Sequence, residues 1–191
     1  MTHTLSAYVL AGGNSRHYGT DKGLYQYQGQ ALIKYPLTLL SETTSLVSIV
    51  AKDDKEFQWL GYPVIKDMVD QQTPLVGILS GLLNSTTDWN YFQACDMPFM
   101  QSGIFNVLIE RIEEISENPD IQAFIPLTDI GLQPLAAFYR KNSIDALREA
   151  IHNNLSVKDW VDTLRVETIN FGNAMSFKSV NQVEDLHAVP A

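Results

Sequence analysis

Short apolar runs alternate with amphipathic stretches along most of the chain. Ala7-Tyr8-Val9-Leu10 is an unbroken apolar run stopped by paired glycines, which predicts a buried strand. Leu46-Val47-Ser48-Ile49-Val50 is a second, rich in β-branched residues, and Val64-Ile65 is a short third. Tyr91-Phe92-Gln93-Ala94-Cys95 is a fourth, ending at Asp96. Between these runs, helical spacing covers 31–40, 53–60 and 75–83, the last opened by Pro74. Pro36 lies inside the first of these and predicts a kink or a shortened helix. Beyond Asp96, apolar residues at 104, 105, 108, 109, 112 and 115 predict a helix over 100–115. Residues 123–125 and 134–139 read as extended, 143–151 and 156–164 as helical, and 166–169 as a late strand. This alternation predicts an α/β fold: three α/β/α layers around a mostly parallel sheet, with crossovers of the usual hand. With no repeat, low-complexity tract or linker, residues 1–191 read as one domain.

Charge narrows the partners. The chain carries 22 acidic and 13 basic side chains, a formal net charge of -9, and no basic run. Such a surface repels a long phosphate backbone, so no nucleic acid is expected as a partner. A small phosphate ligand held locally remains compatible with it. Cys95 is the only cysteine, which excludes an internal disulfide and a cysteine-rich metal site. His3, His17, His152 and His187 have no metal-ligand spacing. Neither a secretory leader nor eighteen uninterrupted apolar residues is found, so a cytoplasmic location without a membrane partner is expected.

Candidate chemistry collects where the predicted strands end, the edge at which open α/β sheets bind ligands. The first strand runs into Leu10-Ala11-Gly12-Gly13-Asn14-Ser15-Arg16-His17-Tyr18-Gly19-Thr20-Asp21-Lys22. Gly12, Gly13 and Gly19 let backbone N–H groups approach phosphate oxygens, and Arg16 and Lys22 neutralise what the loop cradles. No Gly-Lys-Ser/Thr triplet follows, so this is not a P-loop, and the glycine spacing does not match the dinucleotide fingerprint. The competing reading is a surface turn with two solvated cations. Asp96, one residue past its strand, suits Mg²⁺ bridging phosphate oxygens; its competing role is a helix cap. Cys95 reads as a packed strand residue without an identifiable base. Asp67, after the third strand, has oxygens that can accept from a base or ribose. Pro74-Leu75-Val76-Gly77 sets a helix start against the same edge.

Together the Gly12 loop, Pro74-Leu75-Val76-Gly77, Cys95-Asp96-Met97-Pro98 and the segment 177–186 resemble the molybdenum cofactor guanylyltransferases. The resemblance runs from Leu5 to about Leu186. It implies a single Rossmann-like nucleotidyltransferase domain, with a nucleotide-binding part over about 5–100 and an acceptor-binding part over about 101–191. It implies transfer of GMP from GTP to the terminal phosphate of molybdopterin or molybdenum cofactor, with release of pyrophosphate and Mg²⁺ as cofactor. The family pattern gives Leu10, Ala11, Gly12, Gly13, Arg16 and Lys22 to the nucleotide, with Pro74 and Gly77 beside them. It gives Asp67 to the guanine and Asp96 to the metal, with Arg16, Lys22 and Asp96 catalytic. Gln133, Ser179 and Asn181 fall on the acceptor side. Transient contact with other proteins of molybdenum cofactor synthesis is also implied.

The chain departs from that pattern in places. Ser179 stands where the family usually has asparagine, Gln182-Val183 replaces Thr-Pro, and Lys52 stands where an asparagine near the base is expected. A lysine donates to guanine O6 but accepts nothing from N1–H. Two rivals therefore stay open. One is a related transferase acting on a sugar phosphate or another phosphorylated acceptor; the other is a nucleotide-binding regulatory protein without catalysis.

Overall fold

β1 (Ser6–Leu10) forms where predicted, and a two-stranded hairpin of β2 (Gln26–Tyr27) and β3 (Gln30–Ala31) follows. This is a computed structural model that describes residues 5–11, 21–68, 71, 73–181 and 185. Helix α1 (Lys34–Ser41) starts three residues later than the periodicity suggested, because Ala31 is paired with Gln26 in the hairpin. Pro36 then occupies the third helical position, where a backbone N–H has no intrahelical partner to lose, so no kink is required. β4 (Leu46–Ala51), β5 (Val64–Lys66), α2 (Pro74–Asn84) and β6 (Trp89–Ala94) complete the first half. The stretch 53–60 is two 3-10 turns rather than one helix, closed by Gly61 at φ +78°. The second half runs α3 (Ser102–Ile115), β7 (Ala123–Thr128), β8 (Gly131–Leu132), β9 (Ala136–Arg140), α4 (Ile144–His152), α5 (Val157–Val161) and β10 (Val166–Gly172).

Eight strands form one sheet in the order β10-β7-β9-β6-β1-β4-β5, with β8 paired to β7. β5, β4, β1 and β6 are mutually parallel, and β10 is parallel to β7. β9 runs against both of its neighbours, and β8 against β7, so six of the eight strands point one way. The sheet is mixed but mostly parallel, and the fold is a single α/β domain. β1 is buried at Ala7, Tyr8 and Val9 because helices cover both of its faces. Successive side chains alternate between two cores. Ala7, Val9, Tyr91 and Phe138 pack with Leu37 of α1 and with Phe105 and Leu108 of α3. Tyr8, Phe92, Ala137 and Tyr139 pack with Ile78 of α2, Leu147 of α4 and Trp160 of α5.

After β10, Phe177 and Val180 return the chain to the sheet edge. Phe177 packs with Met97, Met100 and Ala136, and Val180 with Leu32. Among the described residues, no helix is long and apolar enough to cross a membrane.

Candidate functional site

Parallel strands deliver their carboxyl ends to one edge, and backbone bonds continue the ladder past each strand there. Ala11 N–H donates to Val50 O (2.8 Å), Asp67 N–H to Ala51 O (2.9 Å) and Cys95 N–H to Leu10 O (3.0 Å). These bonds fix where Ala11, Asp67 and Asp96 leave the sheet. Lys52 follows β4 at the same edge.

The first cluster is Leu10, Ala11, Lys52, Asp67 and Gly77, with Pro74 at the first position of α2. One carboxylate oxygen of Asp67, Oδ1, is buried with no hydrogen-bond partner among the described residues. A side chain added at Gly77 would meet Leu10 Cδ2 at 3.0 Å and this Asp67 oxygen and Val50 Cγ1 at 3.8 Å, so glycine lets α2 pack closely over the ends of β1 and β4 beside the carboxylate. Burial holds the Asp67 carboxyl above the usual carboxylate range, and the Lys52 charge pulls it partly back. A buried acceptor that no described residue donates to suits a ligand that brings N–H groups.

The second cluster is Lys22, Asp96, Ser179 and Asn181. Lys22 Nζ lies 3.6 Å from Asp96 Oδ2 and donates to Asn181 Oδ1 at 2.8 Å. Val180 N–H donates to the Asp96 carbonyl at 2.7 Å, which ties the C-terminal segment to the end of β6. Burial lifts the Asp96 carboxyl above its ordinary range, while the Lys22 charge and a hydrogen bond from Ser179 oppose the shift. The side chains of Lys22 and Asp96 retain 21% and 17% of their exposure, enough for a ligand to reach both.

The sequence did not single out Asp21. Its carboxylate accepts from Gly23 N–H at 2.7 Å and lies 4.0 Å from Cys95 Sγ. A side chain at Gly23 would meet Asp21 and Cys95 at 3.1–3.3 Å, so the turn that carries Lys22 is pressed onto the end of β6. An Asp two residues before a loop glycine is the signal that finds this turn. The Cys95 thiol is fully buried and pushed well above its ordinary range by burial, and further by Asp21 and Asp96. It stays a protonated packing residue, as its sequence context suggested.

Gln133 stands apart from these clusters. Its Nε2 donates to Thr128 Oγ1 (2.9 Å) and Gly131 O (3.2 Å), closing the β7–β8 hairpin. Among the described residues, its side chain makes no bond to Asp96, Ser179 or Asn181. Gly12, Gly13 and Arg16 lie outside the described residues.

A family model described as a MobA-like NTP transferase domain matches residues 7–168. A molybdenum cofactor guanylyltransferase of Cupriavidus metallidurans is 30% identical over 192 residues, covering 96% of this chain and 93% of its own. The crystal structure of molybdopterin-guanine dinucleotide biosynthesis protein A from Archaeoglobus fulgidus superposes with TM-score 0.77 at 24% identity, covering 95% of each chain. That of 2-C-methyl-D-erythritol 4-phosphate cytidylyltransferase from Thermus thermophilus superposes at 0.69 with 13% identity, again over 95% of each. A molybdopterin-guanine dinucleotide biosynthesis protein and a cytidylyltransferase thus share this fold, and the fold alone leaves the base open. Both the span of the family match and the full-length relative at 30% identity lead to one conclusion: the chain belongs to the MobA-like NTP transferase family.

Proposed function

We propose that the protein transfers GMP from GTP to the terminal phosphate of molybdopterin or its molybdenum-loaded form, releasing pyrophosphate. The observation that carries this reading is the Lys22–Asp96 pair past the end of β6, three strands along the same sheet edge from the Asp67 oxygen that is buried without a partner among the described residues. One cluster suits a triphosphate and the other a base. The relatives' guanylyl activity supports guanine as that base, with Asp67 accepting its N–H groups and Lys52 donating to its O6. The part over about 5–100 is assigned to the nucleotide, and the part over about 101–191 to the acceptor. The cytoplasm is the proposed location.

Mg²⁺ fits the donors at Asp96. The carboxylate is a hard oxygen ligand whose raised pKa reflects charge that its surroundings leave incompletely compensated. Among the described residues no three His, Cys, Asp or Glu side chains converge, so phosphate oxygens and water would fill the other positions, as Mg²⁺ prefers. When bound, the ion supplies positive charge to the phosphate oxygens.

An acceptor phosphate oxygen attacks the α-phosphorus in line; the new O–P bond forms as the bond to the β-phosphate oxygen breaks, and pyrophosphate departs with the electron pair. A phosphate dianion is a competent nucleophile and needs no protein base. Lys22 and Arg16 stabilise the charge that develops on the phosphate oxygens, and the loop amides donate to them. Pro74 starts α2 on the base side, and Gly77 lets that helix pack closely against Leu10 and Asp67.

A second reading keeps this chemistry and changes the acceptor to a sugar phosphate or another phosphorylated alcohol. Ser179 favours it, because the family usually places an asparagine there on the acceptor side. Pyrophosphate release with Mg²⁺ and each of GTP, CTP, ATP and UTP, against molybdopterin or molybdenum cofactor, separates the readings. GTP-selective release is expected. Release with a different nucleotide overturns the base assignment, and release only with other acceptors favours the second reading.

A further inference from the structure

We propose that Asn181 is a positioning residue for the nucleotide, acting through Lys22, rather than a contact reserved for the acceptor. The proposal rests on Lys22 serving the triphosphate, as in the function proposed above. Lys22 and Asn181 are 159 residues apart in sequence, yet the ammonium donates to Asn181 Oδ1 at 2.8 Å. An ammonium only donates, so the amide must turn its oxygen toward Lys22. The same ammonium lies 3.6 Å from Asp96 Oδ2.

Asn181 is itself held. Its backbone N–H donates to Asp185 Oδ2 at 2.8 Å, and Lys178 Nζ lies 3.8 Å from the other oxygen of that carboxylate. The preceding residue, Val180, is fully buried against Leu32, and its N–H donates to the Asp96 carbonyl at 2.7 Å. One segment therefore grips both the residue past β6 and the end of the lysine side chain. A lysine fixed only by its backbone samples many rotamers, and ordering it on binding costs entropy. Here Asn181 takes one N–H donor of that ammonium and Asp96 holds it by charge at 3.6 Å, which leaves N–H donors for a phosphate oxygen. The side chain meets the nucleotide already aimed, and the bond to Asn181 persists in the complex.

Calorimetric titration of GTP with Mg²⁺, without acceptor, tests this in the wild type, Asn181→Ala, Lys22→Ala and the double variant. Asn181→Ala is expected to raise the GTP Kd roughly three- to tenfold, the worth of one hydrogen bond. In the Lys22→Ala background the same change is expected to do nothing further, since a residue acting through Lys22 has nothing left to position. Asn181→Leu, similar in size but without the oxygen, should repeat the loss, with thermal midpoints reporting that each variant is folded. An unchanged or tighter Kd in Asn181→Ala overturns the proposal, as does the same factor in both backgrounds. A wild type that binds no GTP removes the proposed function and this inference with it, a result distinct from wild-type binding that the Asn181 variants leave unchanged.

Discussion

Asp67 and Asp96 leave the same sheet edge three strands apart, and burial lifts both carboxyls above the usual range. The folded Asp67 therefore binds its proton more tightly than the unfolded one. Its contribution to stability is complete below the unfolded pKa and is lost as pH rises through the folded pKa, so at neutral pH the charged form is a cost. Asp67→Asn should raise the thermal midpoint at neutral pH, and the gain should vanish in acid, where the wild-type carboxyl is protonated. The same variant should lose preference for GTP over ATP, because an amide presents a donor where the carboxylate presents its second acceptor oxygen. Thermal melts across pH and competition between the two nucleotides read the two halves separately; a lower midpoint at neutral pH would show that Asp67 has a stabilising partner. Asp96→Asn should keep the fold and cut turnover to below about a hundredth, whereas Lys22→Ala should lower kcat/KM by about a hundredfold or more. Full turnover in Asp96→Asn would remove its metal role, and an unchanged kcat/KM would take Lys22 out of the site.

At the scale of elements, α2 lies unusually close to the sheet. A side chain built on Gly81 would sit 2.5 Å from Phe92 Cε1 and 3.2 Å from Tyr8 Cγ, and those rings are already stacked with centroids 4.9 Å apart. Gly81→Ala gains about 1 kcal/mol of helix propensity. Displacing a buried aromatic pair costs about 1–3 kcal/mol, and the 2.5 Å approach puts this site at the upper end. A net loss of about 1–2 kcal/mol is expected in denaturant titration; a gain would mean that α2 shifts freely. β1, β4 and β6 were legible because their apolar runs are central, parallel strands, buried as at Ala7, Tyr8 and Val9. Asp67 and Asp96 were legible because each follows an apolar run. The β2–β3 hairpin was not, because its two-residue strands carry no period and its Gln28-Gly29 turn has positive φ at both residues, which propensity does not announce. The antiparallel course of β9 was hidden too: a buried strand reads the same in either direction. The bonds from Gln133 to Thr128 and the Gly131 carbonyl were not legible either, because they are set by the turn geometry of β7–β8.

For the whole molecule, the question is how an acidic protein admits a polyanion. The formal net charge of -9 opposes GTP at long range. The site offers little to offset this, because the cations Arg16, Lys22 and Lys52 are matched in number by Asp21, Asp67 and Asp96. Under the proposed function, attraction is therefore confined to contact distance, where Lys22 and the loop amides would act, while repulsion extends over the surface. Salt screens the two unequally: the screening length is about 8 Å at physiological ionic strength, shorter than the approach path but longer than a bound contact. Raising salt from low to physiological levels should therefore speed association of GTP measured without Mg²⁺, and the increase should shrink when Mg²⁺ lowers the charge of the nucleotide. Stopped-flow binding of a fluorescent GTP analogue at several ionic strengths reads this directly. A rate that falls with salt would mean that the glycine loop and Arg16 project a positive field strong enough to steer the nucleotide against the rest of the surface.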